Sequence, residues 1–247
     1  EYKNHDTGNH PESIKRIKVV NNLIYKEYSK HNLIEPTIAD KKIISLVHDE
    51  EYIDNIFVSI PNSGFTYFDP DTIASPNSLK SYLLAAGGSV DAVNNILKNK
   101  NKGVFFCAHR PPGHHAERNR AMGFGVFNNV AISAQYALNS GNFKKILIID
   151  FDVHHGNGTQ HIFENNPDIY YASSHQFPFY PGTGSFDEVG VGNIFNCPLP
   201  SDCDSSSFRS LFRKNIVDKI NTKFDLIYFS AGFDAHKLDP LASINLE

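Results

Sequence analysis

The chain has 247 residues, 40% of them hydrophobic, with 23 basic and 27 acidic side chains and a formal net charge of −4. That length and balance suit one soluble globular domain with a large core and argue against a general nucleic-acid binder, leaving the runs Lys15-Arg16-Ile-Lys18 and Lys98-Asn-Lys100-Asn-Lys102 as solvated surface. No apolar stretch approaches the roughly 20 residues of a membrane span, no signal peptide is visible, and Cys107, Cys197 and Cys203 form neither a CxxC pair nor a disulfide framework, so a reducing compartment is expected: the cytoplasm, or the nucleus in a eukaryotic source.

In chain order, Pro11-Glu12 opens a helix predicted over Ser13 to Lys30, with Ile14, Ile17, Val20 and Ile24 on one face. Lys42 to Val47 reads as a strand leading into a helix over Glu50 to Val58, and Phe65 to Thr72 as a turn between elements. Leu79, Leu83, Ala86, Val90, Val93 and Leu97 repeat at helical spacing from Ser78 to Lys98, where Gly87-Gly88 permits close packing. Gly103 to Ala108 reads as a short apolar strand and Phe127 to Leu138 as a helix. Lys145 to Phe151 reads as a buried parallel strand. Another strand is expected near residue 169, a helix over Phe208 to Ile220, and a last strand over Phe224 to Gly232. Helices alternating with strands predict an α/β fold: three αβα layers around a central, mostly parallel sheet, as one domain over residues 1–247.

The chemistry concentrates at strand ends, where open α/β sheets place it. The strand over Lys145 to Phe151 delivers Asp152-Val-His154-His155-Gly156-Asn157-Gly158, and period-two geometry puts Asp152 and His154 on one side, with Asp150 at the same parity. The strand over Phe224 to Gly232 delivers Phe233-Asp234-Ala235-His236, which makes Asp234 the natural third ligand. Two carboxylates and one imidazole would hold Zn²⁺ with an open position, the arrangement of a catalytic zinc. Gly103 to Ala108 runs into His109-Arg110-Pro111-Pro112-Gly113-His114-His115, a loop stiffened by its prolines that presents two imidazoles suited to proton transfer near pH 7. His155 and His236 read as hydrogen-bonding groups, and His175 either as a donor beside the site or as the closure of a turn.

Four blocks, Arg110-Pro-Pro-Gly-His-His-Ala116, Asp150-Phe-Asp-Val-His-His-Gly-Asn-Gly158, Tyr180-Pro-Gly-Thr-Gly184 and Ser230-Ala-Gly-Phe-Asp-Ala-His236, resemble in order and spacing the zinc-dependent histone deacetylases of the arginase-deacetylase superfamily. The likeness runs from about His10-Pro11-Glu12 to Asp239-Pro240-Leu241. Asn157 and Phe179-Tyr180-Pro181 bring it closer to class II and bacterial deacetylase-like amidohydrolases than to class I. The resemblance implies zinc ligands at Asp152, His154 and Asp234 and the paired active-site histidines at His114 and His115. Asp150 would orient the first of these, and Asn157 the second without adding charge. Gly123, Phe124 and Tyr180 match the walls of a narrow channel for an acyl-lysine stem, and Asp69 or Asp71 an acid at its rim. Asp150, Asp152, His154, Ser173 and Ser174 match a monovalent-cation site taking K⁺ or Na⁺. Arginase-like relatives hold two metals with extra aspartates; Gly156 and His236 stand at those positions here, so one zinc is expected.

The activity implied is hydrolysis of the acetyl amide of N-ε-acetyl-lysine in proteins, with zinc polarising the carbonyl and His115 accepting the proton of the attacking water. Two alternatives remain at the level of sequence: an amidohydrolase for acetylated polyamines or other small acyl-amines, and an inactive module that binds acyl-lysine. Family enzymes also use a tyrosine in a Gly-Gly-Tyr loop as an oxyanion donor, and Glu247 is reached without it. The expectation is therefore a deacetylase domain cut at the C-terminus, and by a few residues at the N-terminus, with weak or no turnover, since loss of one such donor costs on the order of 10²-fold or more.

Overall fold

In a computed structural model, which describes residues 2–28 and 33–247, the chain falls into two compact units, Glu1–Asn142 and Phe143–Glu247. Among the described residues no helix is long and apolar enough to cross a membrane.

The first unit is mainly helical. Helix α1 (Ile14–Glu27) forms where predicted; Ile17 is buried, Ile14 and Ile24 are half-buried, and Val20 is exposed. The last two residues of the expected helix, 29 and 30, lie outside the described residues. The strand expected over Lys42 to Val47 is instead a helical turn, α2 (Lys41–Ile44). The Asp40 carboxylate accepts the Ile43 N–H at 2.8 Å and so caps one of the donors that an opening turn leaves unmet, and Ile44 and Val47, three apart, turn inward together. A short apolar run of this kind has no periodicity that separates strand from buried helix. Helix α3 (Glu50–Ser59) opens on two acidic residues, favourable at a helix N-terminus, and buries Tyr52, Ile53 and Ile56.

The segment Phe65 to Thr72, expected as a turn, holds the turn and part of its arms: strands β1 (Thr66–Asp69) and β2 (Thr72–Ala74) pair antiparallel with a register shift between Tyr67 and Asp69. Helix α4 (Ser78–Lys98) has the predicted bounds. The close approach expected at Gly87 is present, since a Cβ there would lie 1.8 Å from the Thr37 carbonyl oxygen, while the Ala39 N–H donates to the Leu83 carbonyl at 3.0 Å. Residues 103–108 are not a strand. They join no ladder among the described residues, and Val104 and Phe106 face solvent, Val104 almost completely. Apolar alternation signals strand propensity, but a strand also needs a neighbour, which the local sequence does not encode. Helix α5 (Asn129–Asn139) is capped by Asn128, whose side chain accepts the Ala131 N–H at 3.1 Å.

The second unit is built on a four-stranded sheet of β3 (Ile146–Asp150), β4 (Ile169–Gln176), β5 (Ile194–Leu199) and β6 (Leu226–Ser230), in the order β5-β4-β3-β6 with every pairing parallel. The expected α/β class with a parallel sheet is thus observed. The register sets Asp150 of β3 beside Ser173 of β4 and Ser230 of β6, so the loops after β3 and β6 leave at one level of the sheet. Leu147, Val153, Ala172, Cys197, Leu199, Ile216 and Ile244 form the core beneath. Helix α6 (Asn157–Phe163), which the sequence reading did not include, follows the loop after β3. Helix α7 (Ser205–Phe212) starts three residues before the predicted Phe208, because Asp204 caps it through the Ser207 N–H at 2.7 Å, and it passes into a π-helical turn at Arg213–Val217.

Three deeply buried histidines are held neutral. Burial lowers His5 to about 3, helped by the Arg110 guanidinium, and takes His48 and His175 to about 4 against the opposing pull of backbone carbonyls. His48 shows why a second proton is unwelcome: Nδ1 donates to the Arg118 carbonyl at 3.2 Å while Nε2 accepts the Asn128 N–H at 2.9 Å. Since the folded values lie below the ordinary 6.5, the unfolded chain takes up these protons first as the pH falls. The stabilisation that these three contribute is therefore expected to be full above about pH 6.5 and to be lost progressively towards about pH 4, with a shallower decline in His48→Gln. Urea midpoints measured across that range check this, and a flat profile contradicts it.

Candidate metal centre

The site grows from the end of β3. After Asp150, the Phe151 N–H donates to the Ser230 carbonyl at 3.2 Å, which ties the outgoing loop to β6. The Asp152 N–H then bonds Asp150 Oδ1 at 3.2 Å, and the His154 N–H bonds Asp152 Oδ1 at 2.9 Å. Asp234, in the loop after β6, accepts the Val153 N–H on Oδ1 at 2.9 Å and turns Oδ2 to within 3.0 Å of His154 Nδ1. Asp152 Oδ1 lies 3.1 Å from the same nitrogen. The three residues predicted as ligands converge, each offering a ligand atom within 4.8 Å of the others, and all are partly exposed. A Cβ on Gly232 would lie 2.0 Å from Asp152 Oδ2, so that residue has to be glycine for the carboxylate to keep its place.

Burial alone would lower the His154 pKa, but hydrogen bonds to Asp152 and Asp234, with the field of both carboxylates, carry it up to about 9. The pocket thus favours a positive charge between two acids. Two oxygens and an imidazole nitrogen, with no thiolate, are the donor set of an open zinc site, and a divalent cation would take the place of that proton. The sequence could not say which ring nitrogen faces the acids; here Nδ1 lies against both carboxylates. Phe179 stacks on the His154 ring at 5.6 Å between centroids and 21° between planes, and the half-exposed Tyr180 meets it edge-on at 5.9 Å.

Beneath these residues, Asp150 is completely buried and accepts the Tyr171 hydroxyl at 3.2 Å. Ser173 Oγ contacts His175 Nδ1 at 2.9 Å, and the buried Ser174 Oγ has no hydrogen-bond partner among the described residues. Asn157, also buried, opens α6. His155 accepts from Thr183 Oγ1 at 2.7 Å on Nδ1 and meets Gln160 Oε1 at 2.9 Å on Nε2, the hydrogen-bonding role expected of it. His236 accepts the Leu238 N–H in its own turn.

The remaining predicted residues belong to the first unit. His114 and His115 are buried, with ring centroids 4.0 Å apart at 51°. Gly123, at φ +56°, lies flat against His115, where a Cβ would fall 2.2 Å from Cδ2. Phe124 takes φ +70°, donates its N–H to Thr72 Oγ1 at 3.2 Å and meets His10 edge-on at 5.2 Å. Asp69 accepts the Asp71 N–H within the hairpin turn, whereas the exposed Asp71 lies 3.5 Å from His10 Nε2. Sequence reasoning missed the anchor of the histidine loop. The Arg110 guanidinium is buried against the Glu12 carboxylate, Thr7 Oγ1 and the His5 carbonyl. Glu12 and Arg110 are 98 positions apart, with no local signal to link them. The partners of His155, namely Thr183 and Gln160, were missed as well.

If Asp152, His154 and Asp234 share one ion, Asp234→Asn should weaken Zn²⁺ binding by more than the roughly 10–100-fold that loss of an outer-shell partner costs. Gly232→Ala should also weaken it, by displacing Asp152. Competition against a chromophoric chelator measures both, and wild-type affinity in Asp234→Asn contradicts the assignment.

Known proteins resemble this chain along nearly its whole length. A family model described as the histone deacetylase domain matches residues 10–247. Histone deacetylase 10, chloroplastic, of Oryza sativa is 37% identical over 270 residues, covering 97% of this chain and 59% of the rice protein, so the chain spans less than two thirds of that relative. A protein named "Probable deacetylase" from Methanothermobacter thermautotrophicus is 35% identical over 253 residues, covering 100% of this chain and 75% of its own length. The crystal structure of the HDA15 HD domain superposes with a TM-score of 0.88 at 33% identity, over 99% of this chain and 74% of that one. With the whole span of the four blocks matched and the deacetylase fold shared, the chain belongs to the histone deacetylase family.

Proposed function

We propose that the protein hydrolyses the acetyl amide of N-ε-acetyl-lysine side chains in proteins, using one Zn²⁺ held by Asp152, His154 and Asp234. The observation that carries this reading is the convergence of those three ligands at two strand ends, beside Phe179 and Tyr180, in a histone deacetylase family member. When bound, the ion supplies Lewis acidity towards the amide carbonyl. His115 takes the proton of the attacking water. A C–O bond forms, the C–N bond breaks, and one of the histidine pair returns a proton to the departing lysine amine. The resemblance assigns Asp150 and Asn157 as the groups that orient the two imidazoles; the amide adds no charge, which would leave His115 neutral and free to accept the proton.

The resemblance assigns Gly123, Phe124 and Tyr180 to the walls around the acyl-lysine stem, and Asp69 or Asp71 to a grip on the substrate backbone at the rim. The contact of Asp71 with His10, next to Phe124, favours Asp71. K⁺ or Na⁺ is assigned to Asp150, Asp152, His154, Ser173 and Ser174, and the unmet Ser174 hydroxyl supports an ion there.

His115→Ala is expected to lower turnover of an acetyl-lysine peptide by roughly 10²–10⁴-fold while leaving zinc affinity unchanged. Acetate release, assayed with acetyl-lysine peptide and acetylspermidine side by side, tests both chemistry and substrate class. Retained turnover in His115→Ala removes the base assignment, and preference for the polyamine overturns the protein substrate.

A further inference from the structure

We infer that Glu188 is a positioning residue for the metal ligand His154 and the aromatic pair beside it, acting through Gln160, His155 and the loop 180–185; the inference rests on reading Asp152, His154 and Asp234 as a metal site. The half-buried Glu188 carboxylate accepts three donors: the Gly184 N–H at 2.9 and 3.0 Å, the Ser185 N–H at 2.9 Å and Gln160 Nε2 at 2.5 Å. An ionised carboxylate only accepts, so it suits a pocket made entirely of donors. Burial works against its charge, but the Ser185, Gln160 and Gly184 donors outweigh that and hold its pKa below the ordinary carboxylate value.

The consequence passes along the chain of bonds. With its NH₂ committed to Glu188, the Gln160 amide must present Oε1 to its other neighbours, Asn196 Nδ2 at 2.8 Å and His155 Nε2 at 2.9 Å. His155 therefore carries its proton on Nε2, and its Nδ1 is left to accept the Thr183 hydroxyl at 2.7 Å. Both branches from Glu188 end in the same loop, at Thr183 and at Gly184-Ser185. Gly184 is pressed against two imidazoles, where a Cβ would lie 2.3 Å from His175 Nε2 and 2.7 Å from His155 Cγ. His155 directly follows His154, and Tyr180 at the head of the same loop, with Phe179 just before it, lies against the His154 ring. One acid thus fixes a glutamine orientation, a histidine tautomer and the seat of a loop. Outer-shell partners of this kind tune metal affinity without touching the metal.

The test compares wild type with Glu188→Gln, Glu188→Asp, Asp187→Asn as an exposed neighbouring control and Asp152→Asn as a site control. Zn²⁺ affinity is read by chelator competition, the Co²⁺ absorption spectrum reports ligand geometry, and far-UV circular dichroism reports the fold. Glu188→Gln is expected to keep the fold, weaken Zn²⁺ by about tenfold or more and alter the Co²⁺ bands, with a smaller loss in Glu188→Asp and none in Asp187→Asn. If Glu188→Gln fails to fold, Thr183→Val removes only the hydroxyl on His155 and should change affinity and spectrum in the same direction. Unchanged affinity and spectrum in Glu188→Gln, or in Thr183→Val where that variant carries the test, with binding lost in Asp152→Asn, overturn the positioning role and leave the metal site standing. Unchanged binding in Asp152→Asn overturns the site and this inference with it.

Discussion

Two carboxylates meeting on one imidazole nitrogen set the character of this protein. Asp152 and Asp234 come from separate loops, and their approach to His154 Nδ1 at 3.1 and 3.0 Å would be repulsive without a positive charge between them. The sheet supplies the constraint that makes the approach possible. Because β3 is in parallel register with β4 and β6, Asp150, Ser173 and Ser230 form one row, and the chain leaves that row twice at the same height. Backbone donors then fix the acids: Val153 holds Asp234, and His154 holds Asp152.

The histidines show how far surroundings decide chemistry for a single residue type. His5, His48 and His175 lie in dry surroundings whose acceptors are mostly neutral, and they remain uncharged. His154 is also substantially buried, yet two acids reverse the outcome. Burial sets the cost of charging an imidazole, and neighbouring carboxylates decide whether that cost is met. A neutral ring needs one donor and one acceptor partner. His48 has them in the Asn128 N–H and the Arg118 carbonyl, and His175 in the Ser173 hydroxyl and the Gly184 carbonyl.

Most of the site was legible because its determinants are local. Asp152 and His154 announce themselves by two-residue spacing after an apolar strand, and Asp234 by a glycine break after another. Helix α4 could be bounded from Ser78 to Lys98 because its apolar positions persist for more than five turns. What stayed hidden was either ambiguous in its own composition or set by neighbours distant in sequence. Residues 103–108 have strand composition without a paired neighbour, α2 turned on a single capping acid, and β5 was masked by Asn196 and Pro198. Glu12 with Arg110, and Glu188 with Gln160 and Gly184, are partnerships that no short window contains.

Pro198 has a further effect on the sheet. The carbonyls of Asn193 and Leu199 accept the N–H groups of Tyr171 and Phe177, so the odd-numbered residues of β5 face β4 and Pro198 points its ring nitrogen outward. A fifth strand added beyond β5 would find a missing donor in the middle of the ladder, which is why proline is tolerated on edge strands and blunts them. Among the described residues, the β5 flank of the sheet is thereby a poor template for β-augmentation.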